Sequence, residues 1–454
     1  MNTPTRTDKL DRIATLAKRR GFVYPSAELY GSPGAIYDFG PLGVQLRNNI
    51  RREWWRRFVQ EREDVVGIES AIITRREVLA ASGHETAFHD PLVECRICHE
   101  RFRADEEIPP AADHEHDLTE PKQFNLMFQT SLGPTEEGAA LAYLRPETAQ
   151  GMFTNFKNIL DTARVKVPFG IAQIGKSFRN EITTGKWLFR LREFEIAEIE
   201  YFVKPGTDGE WFRVWLEAWE GFFTDLGVAP ENIRRYEHPP ETLAHYSTRT
   251  VDLQYNFPFG WSELAGVANR TDYDLRQHQQ FSGRDLTYFD ETDNSKYHPY
   301  VIEPTMGIER AMLVFLVDAY RDYPGGRAGK EDGKEVEAVL QLHPRLAPVT
   351  AAVLPLVKRE RMPDIAREVA AELRRAWFVE YDENGSIGRR YRRYDEIGTP
   401  WCVTVDSQTQ KDETVTVRDR DSMAQDRVKI GELRAFLAPK LAAAAPTRAQ
   451  SPTH

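Results

Sequence analysis

Residues 177–202 read SFRNEITTGKWLFRLREFEIAEIEYF, and a face carrying arginines, carboxylates and the phenylalanine at position 194 is poor material for a core. Strand side chains alternate between faces. A strand through the second half of this stretch therefore presents Arg190, Arg192, Phe194, Ile196, Glu198 and Glu200 on one side, and the first half sets Arg179 beside Glu181. A hydrolytic carboxylate pair explains the acids but leaves the arginines and the ring idle. A nucleotide uses all three types. Arg179 suits a phosphate in a charge-assisted pair. Phe194 offers a face to a purine, with an arginine stacking on the other side. Glu181 can accept the exocyclic amine of adenine.

A second group lies in EPTMGIERAM, with Glu303, Thr305, Gly307, Glu309 and Arg310. Here a strand ends, Gly307 admits a close backbone approach, and Arg310 opens a helix where it can meet a terminal phosphate. A tight turn with a surface Glu–Arg pair is the plain alternative. There is no Gly-x-x-x-x-Gly-Lys-Ser/Thr and no Gly-x-Gly-x-x-Gly after a strand, so ATP would have to lie on an antiparallel sheet. A third group is Cys95-x-x-Cys98, half of a zinc ribbon. His99, His114 and His116 flank the same loop and can complete four ligands, with Cys95, Cys98, His114 and His116 the candidate set. Zinc is possible there, but a degenerate, metal-free remnant is the favoured reading.

These groups need elements to hold them. Leu42, Leu46, Ile50, Trp54 and Phe58 recur at steps of four, which predicts a helix over 41–60 starting on Pro41. EDVVGIESAII (63–73) reads as a strand, and LRPETAQGMFTNFKNIL as a turn into a helix. DGEWFRVWLEAWEGFFTDLG is an aromatic-rich helix stopped by Gly227. RTVDLQYNFPFGWSELAGVANR is strand-like with turns, and YVIEPTMGIERAMLVFLVDAY is a strand, a turn and an apolar helix. Residues 95–120 are polar and irregular, an insertion. Residues 326–337 are rich in glycine and charge and read as a linker. Beyond it, strands and helices alternate over 338–440 as an α/β domain, and 441–454 reads as a disordered tail.

With 454 residues the chain has room for about three domains, and 41% hydrophobic against 29% charged residues marks a globular protein with a sizeable core. No apolar run reaches the roughly 18 residues of a membrane span, and the N-terminus lacks the apolar core of a secretory signal. Three cysteines cannot build a disulfide framework, so a reducing, cytoplasmic location is expected. The net charge of −10 does not exclude nucleic acid, which responds to local patches. Two patches qualify. RNNIRREWWRRF (47–58) reads as a solvated helix face, whereas in GRRYRRYDE (388–396) arginines alternate with tyrosines.

FRNE, followed by Arg190, Phe194 and Glu198 at steps of four, resembles motif 2 of the class II aminoacyl-tRNA synthetases, and GIER (307–310) resembles motif 3. The helix at 41–60 sits where motif 1 belongs. ASGHETAFHDP, FRAD, NLMFQT, LRPETAQG, WSELAGVANRTDYDL and PYVIEPTMGIER together resemble the homodimeric glycyl-tRNA synthetases, over nearly residues 8–438. The resemblance implies an α+β catalytic domain on an antiparallel sheet flanked by helices (1–94 and 121–325), followed by an anticodon-binding α/β domain. It also implies ATP with Mg²⁺, glycine and tRNA(Gly) as partners, and a homodimer with no membrane association.

By the same resemblance Arg179, Glu181 and Arg310 are the catalytic set. Arg179, Asn180, Glu181, Phe189, Arg190, Leu191, Arg192, Glu193, Phe194, Glu263, Leu264, Gly307, Ile308, Glu309 and Arg310 contact ATP, Glu263 through Mg²⁺. Arg103, Glu147, Phe194, Glu198, Glu303, Thr305 and Gly307 contact glycine. Chemistry agrees with an acidic cage, because glycine offers only its ammonium and the absence of a Cβ to recognise. One methylene is worth only about 1–3 kcal/mol, so a rigid cage must add steric exclusion. Motif 1 departs from the family pattern in having Arg75 and Arg76 where a proline is usual, which leaves the dimer contact to the helix. A synthetase-like binding protein would be expected to have lost Arg179, Glu181, Arg310 or the acids, and all are present.

Overall fold

The computed structural model describes residues 6–133, 140–183, 185–327 and 336–442. Its centre is a seven-stranded sheet running, in spatial order, Ile233–Glu237, Arg249–Phe257, Gly260–Thr271, Tyr300–Gly307, Glu193–Val203, Phe169–Phe178 and Val65–Gly67. All neighbours are antiparallel except the last pair. The strand Glu193–Val203 shows how the two faces divide. Ala197, Ile199, Tyr201 and Val203 enter the main core, while Phe194, Ile196, Glu198 and Glu200 face the other way.

The core side is closed by the helix Asp208–Asp225. Its Trp211, Trp215, Trp219 and Phe222/Phe223 recur at helical spacing and are all buried. Asp208 and Glu210 suit its positive end, and Gly227, at φ +94°, turns the chain away after it. Trp219 Nε1 donates to the carbonyl of Thr305 at 3.2 Å, which ties this helix to the strand of the second chemical group. The helix Pro41–Trp55 begins on Pro41 as expected and continues as a wider π turn over Arg56–Gln60. Its Arg47 reaches Glu309 at 2.7 Å and Glu195 at 3.1 Å, and Arg57 reaches Asp225 at 2.8 Å. These arginines of the first basic patch are therefore paired inward and not solvated.

The expected strand over 63–73 is shorter: Val65–Gly67 joins the sheet, and Ile73–Arg75 pairs instead with Ala140–Leu144. The insertion is not wholly irregular. Arg101–Arg103 pairs with His89–Glu94, which pairs in turn with Lys122–Asn125. Val336 and Glu337, read as linker, open a strand, Val336–Leu340, paired with Tyr320–Pro324; residues 328–335 of that linker lie outside the described residues. A five-stranded sheet follows in the order Val379–Tyr381, Ala351–Pro355, Trp401–Val405, Thr414–Asp419 and Gln425–Lys429, parallel in its first three strands.

Leu441 and Ala442, read as tail, end the helix Leu433–Ala442, and residues 443–454 lie outside the described residues. In the second basic patch Arg390 and Tyr394 are buried and Tyr391 bonds Thr404 at 2.7 Å, so the tyrosines are not a stacking surface; Arg389 and Arg392 remain exposed. Among the described residues no helix is long and apolar enough to cross a membrane.

Candidate active site

The strand ladder between Phe169–Phe178 and Glu193–Val203 stops at Phe178 and Glu193, so Arg179, Glu181, Arg190 and Arg192 belong to the connecting loop and not to the strands. One further rung forms, from Arg179 N–H to the Arg192 carbonyl at 2.9 Å. The backbone then turns elsewhere: Asn180 N–H donates to Leu126 at 2.7 Å and Arg192 N–H to Ala35 at 3.0 Å. The loop folds back over the sheet and encloses a cavity of ≈ 380 Å³ lined by Arg179, Glu181, Phe189, Phe194, Gly307 and Arg310, among others. The Arg179 guanidinium lies 5.4 Å from the centre of the Phe194 ring, and Arg310 lies 4.6 Å over Phe189 while pairing with Glu263 at 3.0 Å. Burial pushes the Glu181 carboxyl above its usual range against the pull of Arg179 and Arg190. Cationic side chains beside flat aromatic faces can take a nucleotide.

A second cavity of ≈ 300 Å³ adjoins the first, and Arg179, Ile196, Glu263 and Thr305 line both. Its walls carry Glu147, Glu198 and Glu303, each no more than 8% exposed. A supporting layer fixes them. Arg270, 1% exposed, bonds Glu303 at 2.9 Å and both oxygens of Asp274 at 2.8 and 2.9 Å. Gln150 Nε2 donates to both Glu147 at 2.9 Å and Asp274 at 3.0 Å, and Thr148 donates to Glu198. His84 stands 3.3 Å from Glu147. Burial opposes ionisation of Glu147, but His84 and Arg270 outweigh it and hold this carboxyl below its usual range. Burial and then the Glu147 charge raise Glu198; burial raises Glu303 strongly despite Arg270. A small, anionic, largely desolvated pocket can bind a compact cation.

The match to the tRNA synthetase class II core domain (G, H, P, S and T) spans residues 130–319, and the match to the anticodon binding domain spans 350–440. The glycine–tRNA ligase of Thermobifida fusca is 52% identical, over 96% of this chain and 99% of that one. That of Streptomyces coelicolor is 51% identical over 96% and 99%. The chain belongs to the glycine–tRNA ligase family. Among solved structures, prolyl-tRNA synthetase from Cryptosporidium parvum, complexed with halofuginone and AMPPNP, superposes with a TM-score of 0.63 at 15% identity. It covers 97% of this chain and 81% of its own, a likeness of fold.

In this glycine–tRNA ligase family member the expected residues divide unevenly between the cavities. Arg179, Glu181, Phe189, Arg190, Leu191, Phe194, Glu263, Gly307, Glu309 and Arg310 come together around the first. Arg192 stands behind that wall, donating to the carbonyls of Glu181 at 3.1 Å and Pro33 at 2.9 Å. Glu193 is paired outward with Lys176, while Leu264 and Ile308 are buried in the core, which leaves only their backbone for a ligand. Glu309 is spoken for by Arg47 and the Glu195 amide at 2.8 Å. Of the residues expected at glycine, Glu147, Glu198, Glu303 and Thr305 line the second cavity. Arg103, Phe194 and Gly307 line the first, Arg103 bonded to Asp90 at 2.8 Å.

The residues missed were Arg270, His84, Thr148, Gln150, Asp274 and Tyr246. All but Tyr246 sit inside blocks that carried the resemblance, and none stood out by type and spacing. Cys95, Cys98, His114 and His116 form a separate cluster. His99 points to Glu94 at 3.5 Å and is not part of it.

Proposed function

We propose that the two cavities are the ATP and glycine halves of one aminoacylation site. The enzyme joins glycine to tRNA(Gly) through glycyl-adenylate, releasing pyrophosphate and then AMP. The observation that carries the residue assignment is Arg179, whose side chain lines both cavities at their junction. The reacting bond must sit at such a junction. A glycine carboxylate oxygen attacks the α-phosphorus, the bond to pyrophosphate breaks in line, and Arg179 offsets the charge that develops. No protein nucleophile is required, because fixing the two reactants together removes much of the barrier.

Glu147, Glu198 and Glu303 hold the ammonium, with the Thr305 hydroxyl beside them, while Phe194 stacks on adenine and Glu181 accepts its amine. Arg310 leaves Glu263 to meet the terminal phosphate. Glu263 is half-exposed at the edge of both cavities and offers the hard oxygen that Mg²⁺ takes, so it would hold the ion. When bound, Mg²⁺ neutralises phosphate charge. The terminal adenosine hydroxyl of tRNA then attacks the glycyl carbonyl and AMP leaves.

The same reading assigns 1–94 and 121–325 to catalysis, 95–120 to an insertion and 338–440 to the anticodon. It also makes the enzyme a cytoplasmic homodimer that pairs through the helix Pro41–Trp55. Purified protein should exchange pyrophosphate into ATP only when glycine is supplied, and Arg179→Ala should abolish that exchange. Comparable exchange with alanine, or an active Arg179→Ala variant, would refute the assignment.

A further inference from the structure

We propose that Cys95, Cys98, His114 and His116 hold a zinc ion that fastens the insertion to the sheet beside the nucleotide cavity. The four ligand atoms all lie within 4.8 Å of one another. Cys95 Sγ is 3.5 Å from His114 Nε2, and Cys98 Sγ is 3.9 Å from His116 Nδ1. Around tetrahedral zinc, with Zn–S about 2.3 Å and Zn–N about 2.0–2.1 Å, neighbouring ligand atoms stand roughly 3.4–3.8 Å apart. Closing the widest pair thus needs about 1 Å. Two sulfurs and two imidazoles are a donor set that zinc takes in structural sites.

The histidines carry a second and independent sign. Metal-bound imidazoles characteristically donate their other N–H to a carboxylate or a carbonyl. His114 Nδ1 lies 2.8 Å from Asp113 Oδ1, and His116 Nε2 lies 3.0 Å from the Pro109 carbonyl. Pro109 can only accept, so His116 carries its proton there. Its Nδ1 lone pair is then free to point at Cys98, and Asp113 sets His114 the same way. Both rings are thus oriented as ligands, by partners that lie outside the cluster.

The backbone brings the two arms together at this point. Cys95 bridges Leu118, Arg96 N–H donates to Asp117 at 2.7 Å, and Thr119 N–H to Glu94 at 2.9 Å. The strand Arg101–Arg103 leaves directly from the Cys95–Cys98 turn, and its Arg103 lines the nucleotide cavity. Within this insertion, Glu106 reaches Arg190 at 2.9 Å. A metal at the far end of so small a hairpin supplies the rigidity that its few buried side chains, Val93, Cys95 and Phe102, do not.

The alternative is a metal-free cluster in which each thiol donates to its imidazole. Untagged full-length protein, purified reduced and without added zinc, should carry close to one zinc per chain by plasma mass spectrometry. Cys98→Ser and His116→Ala should lose that zinc, and Cys402→Ser should keep it. Cobalt titrated into the stripped wild-type protein should give the visible bands of a tetrahedral thiolate site, a readout that needs no variant to fold. Zinc near zero with no cobalt bands would overturn the site, as would full zinc in Cys98→Ser. Removing the metal should also speed amide hydrogen exchange in residues 89–125 and leave the strand Glu193–Val203 unchanged. Equal exchange with and without metal would overturn the fastening role.

Discussion

Replacing Glu200 by glutamine should stabilise the protein at neutral pH, although it alters a carboxylate beside the active site. Glu200 is wholly buried, and among the described residues neither of its oxygens has a hydrogen-bond partner. Its carboxyl groups with those of Glu198, on the same strand, and Glu303, on the next, within 4.8 Å. Asp274 adds further negative charge, and Arg270, which opposes it, is already bonded to Glu303 and Asp274. Burial first and the neighbouring carboxylates second push the Glu200 pKa well above 4.5.

The sign follows from where the proton sits. The folded state keeps it over a pH range in which the unfolded chain has lost it, so the stability is complete below 4.5 and is lost as pH rises toward the folded-state value. Within that window each pH unit costs about 1.4 kcal/mol. Glutamine imitates the neutral acid, can donate to the carboxylates beside it, and does not titrate. Urea unfolding followed by tryptophan fluorescence at rising pH across that window should therefore show the gap between Glu200→Gln and wild type widening in favour of the variant. Parallel profiles, or a variant that loses ground as pH rises, would refute the protonated carboxyl. The KM for glycine should barely move in Glu200→Gln. In Glu147→Gln, where the carboxylate is held ionised, it should rise about ten- to a hundredfold, the worth of a hydrogen bond to a charged group.

Arg270→Met should cost about 3–5 kcal/mol, because it removes the buried cation bonded to both Glu303 and Asp274; calorimetry would show the lowered melting temperature. Gly175→Ala would put a Cβ 2.2 Å from Arg145 Nη2, an arginine pinned to Lys176 O at 2.7 Å and Ser70 O at 2.9 Å two residues before Glu147. The forced shift, about 1–3 kcal/mol, should raise the KM for glycine more than that for ATP in steady-state exchange assays. Arg389→Glu, on the exposed side of the helix Ile387–Glu396, should weaken tRNA binding and lower its salt slope by about 1, with glycine-dependent exchange unaffected.

What could be read from the sequence was what local periodicity and residue type encode. The helix Pro41–Trp55, the aromatic helix Asp208–Asp225 and the strand-to-helix passage at Gly307 emerged from spacing alone, because each buries one face continuously. Alternation failed where it ran past the last ladder bond. Arg190 and Arg192 keep a strand's period of two, yet the Arg192 amide bonds Ala35, some 150 residues earlier in the chain, and no local pattern announces such a partner. The loop matters more for having left the sheet, since arginines fixed in a ladder could not fold over a ligand lying on it.

The acidic pocket was legible for a different reason and to a different depth. Glu198 stood out as a carboxylate on a strand face, and its assignment to glycine, with that of Glu303, followed from the resemblance of the surrounding motifs. Arg270 did not stand out, because one arginine after SELAGVAN looks like a strand end. Yet Arg270 is what lets several buried acids coexist, since without it desolvation would neutralise them and leave the cage no charge to offer. The acids reveal what the pocket binds, and the cation behind them explains why it can stay charged enough to do so.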